Sequence, residues 1–520
     1  MEQPGRALTW ISSRPRLAAL GLGVLAATSF QPLGLWPLAL LAIGLLAFLV
    51  GRASGWKQAA ILGWLFGVGH FTLGNWWIAT AFTYQAQMPA ALGWIAVPLL
   101  ALYLGVYPAL AAAAARALVG RIALPLAFAG LWTVGEWLRG WVFTGYPWNP
   151  FGILLLGPFD RPGLAAIAPW TGTYALSGVA VLLGCGLVWA LAAKRWVPAA
   201  LAAVLLAVGM YLPAGEGAEG RERFTLVQPD VRQEQLDDPS TWEATFRRTA
   251  ALSEPREPGE ERLVLWPESG VPDYLEDGYP ERYYRGTAFG DPVLARRRIG
   301  GAIGQGSTLL TGAVDLEIEN GRAVGAYNSV TALDAQGEIV GSYAKAHLVP
   351  YGEYLALRWL LEPLGATRLV PGAFDFLPGP GPRTLDLAGH GEVGVQICYE
   401  IIFSGQVVDP ANRPEFIFNP SNDGWFGPSG PPQHLAQARL RAVEEGLPVL
   451  RSTTTGISAV IDARGVVRQH IARLRAGRID GLIPPAGKPT LFGRMGNFLA
   501  LSWALLFLFA GSVVMRRRGR

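Results

Sequence analysis

Charge is what this chain has least of. Asp, Glu, Lys and Arg make up 16% of its 520 residues, whereas soluble globular proteins run near about 25%. The deficit is local. Residues 17–213 hold few charges, and residues 214–490 have the make-up of an ordinary globular domain. That asymmetry argues for one part in lipid and one in water. A surplus of one sign is also missing. The net charge is +4, and much of the excess sits beside apolar runs, which argues against a nucleic-acid partner. Cysteine is scarce too. Cys185 lies in an apolar run and Cys398 in the polar domain, so no disulfide framework is expected. The five histidines show no zinc spacing with each other or with cysteine, so no metal or other cofactor is expected.

Long apolar runs are abundant. Eight stretches approach the roughly 20 residues a bilayer requires: 17–31, 33–51, 58–82, 90–115, 122–140, 165–193, 197–213 and 496–515. A cleaved signal ending near Ala26-Ala27-Thr28 is the alternative for the first, but further spans follow at once. If all eight cross, Arg6, Arg14, Arg16, Arg52, Lys57, Arg116, Arg121, Lys194, Arg195 and Arg516-Arg517-Arg518 fall on one face. The opposite loops carry almost no Lys or Arg apart from Arg161. The positive-inside rule then puts both termini in the cytoplasm and the polar domain outside, in a periplasm where the cell has one.

Glu136 and Arg139 lie three residues apart near the end of the fifth span. They read either as functional charges at membrane depth or as an interfacial i,i+3 ion pair. The aromatic loop Gly145-Tyr146-Pro147-Trp148-Asn149-Pro150-Phe151-Gly152 is either a lip for lipid or an interfacial anchor, and Asn75-Trp76-Trp77 poses the same choice.

The polar domain alternates strand-like and helix-like runs. Expected strands are 224–228, 262–266, 308–314, 326–333, 338–343, 393–398, 415–419, 448–452 and 457–462. Expected helices are 240–253, 291–303 and 433–445. This pattern predicts an α/β sandwich. Three chemically distinctive residues stand where strands run out, the usual place for catalytic groups in α/β sheets. Cys398 is the candidate nucleophile, its thiol expected to ionise more easily at a strand-to-helix turn. Its alternative is a buried structural cysteine. Glu268, after Leu263-Val264-Leu265-Trp266-Pro267, is the candidate general base, or else an ion-pair partner. Lys345 would favour the thiolate and stabilise an oxyanion, or else is a surface lysine. Glu353 or Glu400 could fix that lysine, and a plain salt bridge is as good a reading for each.

A glutamate, a lysine and a cysteine in this order resemble the nitrilase (carbon–nitrogen hydrolase) superfamily, and more closely its integral-membrane branch, the apolipoprotein N-acyltransferases. The resemblance runs through Glu136-Trp137-Leu138-Arg139-Gly140, Gly145-Tyr146-Pro147-Trp148, Leu265-Trp266-Pro267-Glu268-Ser269, Lys345 to Glu353, Ile397-Cys398-Tyr399-Glu400-Ile401-Ile402 and Ser421-Asn422-Asp423-Gly424-Trp425-Phe426-Gly427. It continues through Gln433-His434, Ala438 to Ala442 and Thr455-Gly456-Ile457. It implies an αββα catalytic domain at 214–495, a seven-helix membrane domain at 1–213, and a last span with a basic tail at 496–520. It implies Glu268, Lys345 and Cys398 as the catalytic triad and Glu353, Tyr399 and Glu400 as supporting residues. Trp148, Asn75 and Trp425 would shape lipid access. Leu236 stands where the family loop often has a gating tryptophan, with Trp242 a helical turn or so beyond, and Thr453-Thr454 replaces an asparagine-rich run.

The implied activity moves an acyl chain from a phospholipid, through a cysteine thioester, to the α-amine of a diacylated lipoprotein. The enzyme is expected as a monomer in the bacterial inner membrane, without cofactor. The alternative is a membrane-tethered amidase in which water resolves the thioester.

Overall fold

The computed structural model describes residues 13–84, 89–364 and 375–518; Arg6 and the final two residues lie outside that set. Apolar helices occupy all eight expected stretches. The N-terminal ones are Pro15–Ala27, Trp36–Arg52, Trp56–Gly74, Leu92–Leu104 continuing as Val106–Ala117, Leu124–Arg139, Ala168–Ala192 and Trp196–Tyr211, and Asn497–Arg518 closes the chain. By length and hydropathy, three of the described segments suffice to cross a membrane: Leu92–Ala117, Leu164–Ala192 and Asn497–Arg517. Pro15–Ala27, Trp36–Arg52 and Trp196–Tyr211 are apolar but shorter.

These helices approach one another closely at small residues. A Cβ on Gly44 would lie 2.2 Å from the Gly184 carbonyl oxygen, and one on Gly63 would lie 2.4 Å from that of Pro108. Such close approach is how helices associate where lipid supplies no hydrophobic drive. Outside, Trp196, Val197, Leu201, Val204, Leu205 and Val208 of a single helix are exposed, as lipid-facing side chains should be.

Of the two readings of Glu136 and Arg139, the i,i+3 ion pair is not formed. Glu136 accepts from Trp132 Nε1 (3.1 Å), the Phe151 amide (2.7 Å) and Ser177 Oγ. Arg139 donates to the carbonyls of Tyr146 (2.7 Å) and Trp148 (2.8 Å). Both charges hold the aromatic loop in place, because a buried charge must find partners.

The polar domain is two six-stranded sheets, ordered β12-β1-β2-β3-β4-β5 and β11-β10-β9-β8-β7-β6. The first contains β1 (Arg223–Gln228), β2 (Leu263–Leu265), β3 (Thr308–Glu319), β4 (Arg322–Asp334), β5 (Ile339–Ala344) and β12 (Gly477–Leu482). The second contains β6 (Thr384–Leu387), β7 (Gly391–Val395), β8 (Phe416–Ser421), β9 (Val449–Thr453), β10 (Ser458–Ile461) and β11 (Val467–Ile471). Their inner faces meet through Leu226, Leu265, Leu310 and Val330 on one side and Val395, Phe418, Leu450 and Val460 on the other. Helices cover the outer faces. Ile299 and Ile303 of Pro292–Ile303 pack on Val264 and Leu309, and Leu435, Ala438 and Ala442 of Gly430–Glu445 pack on Ile417 and Val449. The expected αββα sandwich is therefore present.

Local chemistry sets the helix ends. Asp291 caps Pro292–Ile303 by accepting from the amides of Val293 and Leu294, with proline at the first helical position. Gly446, at φ +68°, ends Gly430–Glu445 in the left-handed conformation glycine favours. That second helix is buried at every residue but Pro432, Arg439 and Arg441 included.

Candidate active site

Three strand ends bring the candidate triad together. Glu268 lies just past β2, Lys345 directly follows β5, and Cys398 opens a short 3-10 turn (Cys398–Ile402) after β7. The first two come from one sheet and the third from the other. All three are buried, at 6%, 1% and 6% exposure, so none is a surface group.

The polar groups among them form one network. Lys345 Nζ sits 2.9 Å from Glu353 Oε1 and 3.6 Å from Glu268 Oε1. Glu353 is thus the lysine's anchor, and its Oε2 accepts from the Val349 amide at 2.7 Å. Glu268 Oε1 accepts from Asn328 Nδ2 at 2.7 Å, and its Oε2 from the Asn422 amide at 2.6 Å. Asn328 Nδ2 also donates to Glu353 Oε1 at 2.8 Å, bridging the two carboxylates. Burial alone would push the Lys345 ammonium down, but Glu353 and Glu268 outweigh it and hold it up. A permanently charged lysine follows.

The thiol departs from expectation. Burial pushes the Cys398 thiol well above its ordinary range, Glu268 adds to that, and Lys345 opposes it only in part. The five-residue 3-10 turn is no substitute for a helix N-terminus. The resting group is a neutral thiol that needs a base, rather than a preformed thiolate. Its backbone is also unusual. Cys398 has φ +51°, the left-handed region that a residue with a Cβ seldom occupies.

Glu400 holds this turn to the lysine's strand end. Its Oε2 accepts from the Ile397 amide at 2.8 Å, and its Oε1 from Tyr343 Oη (2.8 Å) and the amides of Ala346 (2.8 Å) and His347 (3.2 Å). It therefore spans both sheets and does not itself pair with Lys345. Burial pushes its carboxyl up to about 7, against the pull of the donated amides. Tyr399 is buried, and its hydroxyl donates to the Gly145 carbonyl at 3.2 Å, tying the turn to the aromatic loop.

Sequence reasoning gave no role to several residues beneath the site. Asn328 looks like any polar strand residue until β4 places it between two carboxylates. His434 Nε2 lies 3.0 Å from the Cys398 carbonyl, and its Nδ1 3.0 Å from Asp423. Arg451 pairs with Asp423 at 2.8 Å. Burial opposes ionisation of Asp423, yet Arg451 and His434 overcome it and hold the carboxyl below its ordinary value. Asn422, Asp423 and His434 lie in motifs the resemblance already quotes, and that is the available signal.

The residues expected near lipid fall into two groups. Asn75 and Trp148 are buried at the seam between the apolar helices and the sandwich. Tyr146 Oη donates to Asn75 Oδ1 (2.9 Å), and Trp148 Nε1 donates to Gln433 Oε1 (2.9 Å). The Trp148 ring lies 4.6 Å from Trp77 and 5.2 Å from His434. They brace the seam rather than stand at an opening. Leu236 and Trp425 are partly exposed. Trp425 meets Tyr84 edge-on at 5.7 Å. The carbonyl of Leu236 accepts from Trp242 Nε1 at 3.0 Å, so Trp242 braces the Leu236 loop from the side. That loop reaches the site through Gln233, which accepts from Asn422 Nδ2 at 2.9 Å.

The family model described as "Apolipoprotein N-acyltransferase N-terminal domain" matches residues 22–186, and the one described as "Carbon-nitrogen hydrolase" matches 227–475. The chain is 34% identical over 541 residues to an apolipoprotein N-acyltransferase of Rhodopseudomonas palustris, covering 99% of this chain and 97% of the relative. It is 34% identical over 536 residues to that of Bradyrhizobium diazoefficiens (98% and 96%) and 33% over 512 residues to that of Nitrosomonas europaea (96% and 97%).

Proposed function

This chain belongs to the apolipoprotein N-acyltransferase family, and we propose that it draws its acyl group from a phospholipid and carries it as a thioester on Cys398. It is a membrane-associated acyltransferase of lipoproteins. Glu268 takes the Cys398 proton, and the thiolate attacks the ester carbonyl of the phospholipid. Lys345 and the Tyr399 N–H stabilise the tetrahedral oxyanion. The lysophospholipid alkoxide leaves with the proton from Glu268. The free α-amine of the lipoprotein's diacylglyceryl-cysteine then attacks the thioester, Glu268 accepts its proton, and the amide forms as the thiolate departs and is reprotonated.

One observation carries this assignment: Glu268, Lys345 and Cys398 arrive from three strand ends at one buried point, with Lys345 Nζ 3.6 Å from Glu268 Oε1. Burial supports the base role, since the raised thiol cannot ionise unaided. Glu353 and Asn328 position the lysine and the base, Glu400 positions the nucleophile turn, and Tyr399 ties that turn to the membrane part. Leu236 and Trp425 flank the lipid path, and Asn75 and Trp148 shape it by holding the seam.

The same reading divides the chain into a membrane domain (1–213), a catalytic domain (214–495) and a final span with a basic tail (496–520). Eight crossings and the one-sided distribution of Lys and Arg put both termini in the cytoplasm and the sandwich in the periplasm, on the inner membrane. The protein works as a monomer, since one chain supplies every group named. Apolar helices hold both lipid substrates beside the triad, which favours an amine over water as acceptor.

Incubation of the full-length protein with phospholipid labelled in its acyl chain tests the reading. Label that neutral hydroxylamine removes should appear on the wild type and not on Cys398→Ser. Hydroxylamine-labile label on Cys398→Ser would exclude Cys398 as carrier. Release of free fatty acid alone, with no transfer to a diacylated lipopeptide, would favour an amidase-like hydrolase.

A further inference from the structure

One buried cluster beneath Cys398 has no part in the proposed mechanism. His434, on the helix Gly430–Glu445, is buried and meets the backbone of Cys398. Its Nε2 lies 3.0 Å from the Cys398 carbonyl oxygen. A carbonyl oxygen can only accept, so Nε2 carries a proton. That holds for either state of the ring. A neutral ring accepts at Nδ1 from Arg451 Nη2 (3.0 Å), and a charged one donates from Nδ1 to Asp423 Oδ1 (3.0 Å). Adjacent strands fix this far side of the ring. Arg451 of β9 pairs with Asp423 at 2.8 Å and also donates to Asn419 Oδ1 and Ser421 Oγ of β8.

The bond to the carbonyl decides where the next amide points. In a planar trans peptide the C=O and the N–H face opposite ways. Pinning the Cys398 carbonyl on His434 therefore turns the Tyr399 N–H away from the helix Gly430–Glu445. Among the described residues that N–H has no hydrogen-bond acceptor, although Tyr399 is buried. A buried backbone donor without a partner is rare. Cys398 also has φ +51°, a conformation that persists only where its surroundings hold it. Glu400 holds the turn on the Ile397 side, at the Ile397 amide (2.8 Å), and His434 holds it on the Tyr399 side.

We infer that His434 is a positioning residue for the acylation step. By holding the Cys398 carbonyl it keeps the Tyr399 N–H free and aimed at the oxyanion of the tetrahedral intermediate. The inference rests on the thioester mechanism proposed for this chain, in which that N–H and Lys345 receive the developing charge. A preorganised donor stabilises an oxyanion because it need not reorient as the charge forms. His434 supplies that preorganisation through a single peptide plane.

Two substitutions separate the donor from the rest of the ring. In His434→Gln the side-chain amide N–H reaches the place of Nε2, whereas the shorter His434→Asn keeps a polar group beside Asp423 and Arg451 but gives the Cys398 carbonyl no donor. Full-length protein is mixed with vesicles of acyl-labelled phosphatidylethanolamine and phosphatidylglycerol. The single-turnover rate constant for hydroxylamine-labile labelling of Cys398 is read beside that for its alkylation by iodoacetamide. Alkylation passes through no oxyanion, so it reports the thiol without the Tyr399 amide. His434→Asn should acylate roughly 100-fold more slowly, the usual cost of an oxyanion donor, while alkylation stays within about twofold of wild type with an unmoved pH profile. His434→Gln should acylate within about tenfold of wild type. A single-turnover rate constant does not depend on the fraction of enzyme that folds. Acylation of His434→Asn within about threefold of wild type overturns the inference. So does alkylation that falls in step with acylation, or a His434→Gln as slow as His434→Asn, since each marks a merely structural side chain. Wild type that takes no hydroxylamine-labile label overturns the thioester mechanism itself, before any variant is compared.

Discussion

Cys398 and Glu268 are coupled in a way that gives opposite signs to two measurements. The carboxylate raises the thiol, and in the proposed mechanism it also serves as its base. Glu268→Gln should therefore lower the Cys398 pKa, read as a leftward shift in the pH profile of iodoacetamide alkylation, while acyl transfer falls roughly 100- to 10,000-fold. A rightward shift, or retained transfer, contradicts the pairing. Asn328 makes a second test. It bridges Glu268 and Glu353 at 2.7 and 2.8 Å, so Asn328→Ala should cost on the order of 100-fold in kcat by letting base and lysine drift. Asn328→Asp, which adds a third carboxylate, should cost more.

Among the elements, the turn after β7 stores strain and is held by one carboxylate. Cys398 has φ +51°, so Cys398→Gly should be more stable than Cys398→Ala by about 1 kcal/mol in a denaturant titration. Glu400 gives a pH dependence of stability. Its carboxyl is raised to about 7 in the fold from an ordinary 4.5. Between those values the folded state holds a proton that the unfolded state has lost, so stability falls as pH rises from 4.5 to 7 and then levels. Glu400→Gln should flatten that decline in Tm across the same range.

Legibility in the sequence also divides by element. The nine expected strands correspond to β1–β5 and β7–β10, each built on an apolar run. The three not foreseen, β6, β11 and β12, are all sheet edges. Edge strands are shorter or more polar, as in Val467-Arg468-Gln469-His470-Ile471 and Gly477-Arg478-Ile479-Asp480-Gly481-Leu482. The candidate triad was legible because strand-end glutamate, lysine and cysteine are distinctive. Asn328 and the His434–Asp423–Arg451 cluster were not, because their roles exist only once distant strands are side by side. The expected drop in thiol pKa failed for a related reason: burial and Glu268 arise from tertiary packing.

At the scale of the whole molecule, the sandwich and the apolar helices are joined by buried side chains as well as by the connecting chain. Arg439 donates to the carbonyls of Gly465 (2.8 Å), Gly157 (2.9 Å), Pro158 (2.7 Å) and Arg161 (2.9 Å). Removing it leaves several buried carbonyls unpaired, at about 1–3 kcal/mol each. Arg439→Met should lower the Tm by several degrees, whereas the conservative Glu268→Gln should not. The seam also keeps Cys398 near the apolar helices, since Tyr399 Oη reaches Gly145 and His434 links Cys398 to the helix whose Gln433 holds Trp148.

The central claim is that an acyl group rests on Cys398 and leaves to an amine in preference to water. A single-turnover chase tests it most directly. Full-length enzyme is loaded with acyl-labelled phospholipid, freed of donor, and mixed with a diacylated lipopeptide bearing a free α-amine. The account predicts that label leaves Cys398 and appears in a hydroxylamine-stable amide on the lipopeptide, faster than free fatty acid forms in its absence. Loss of the label to fatty acid at the same rate with and without lipopeptide would contradict it.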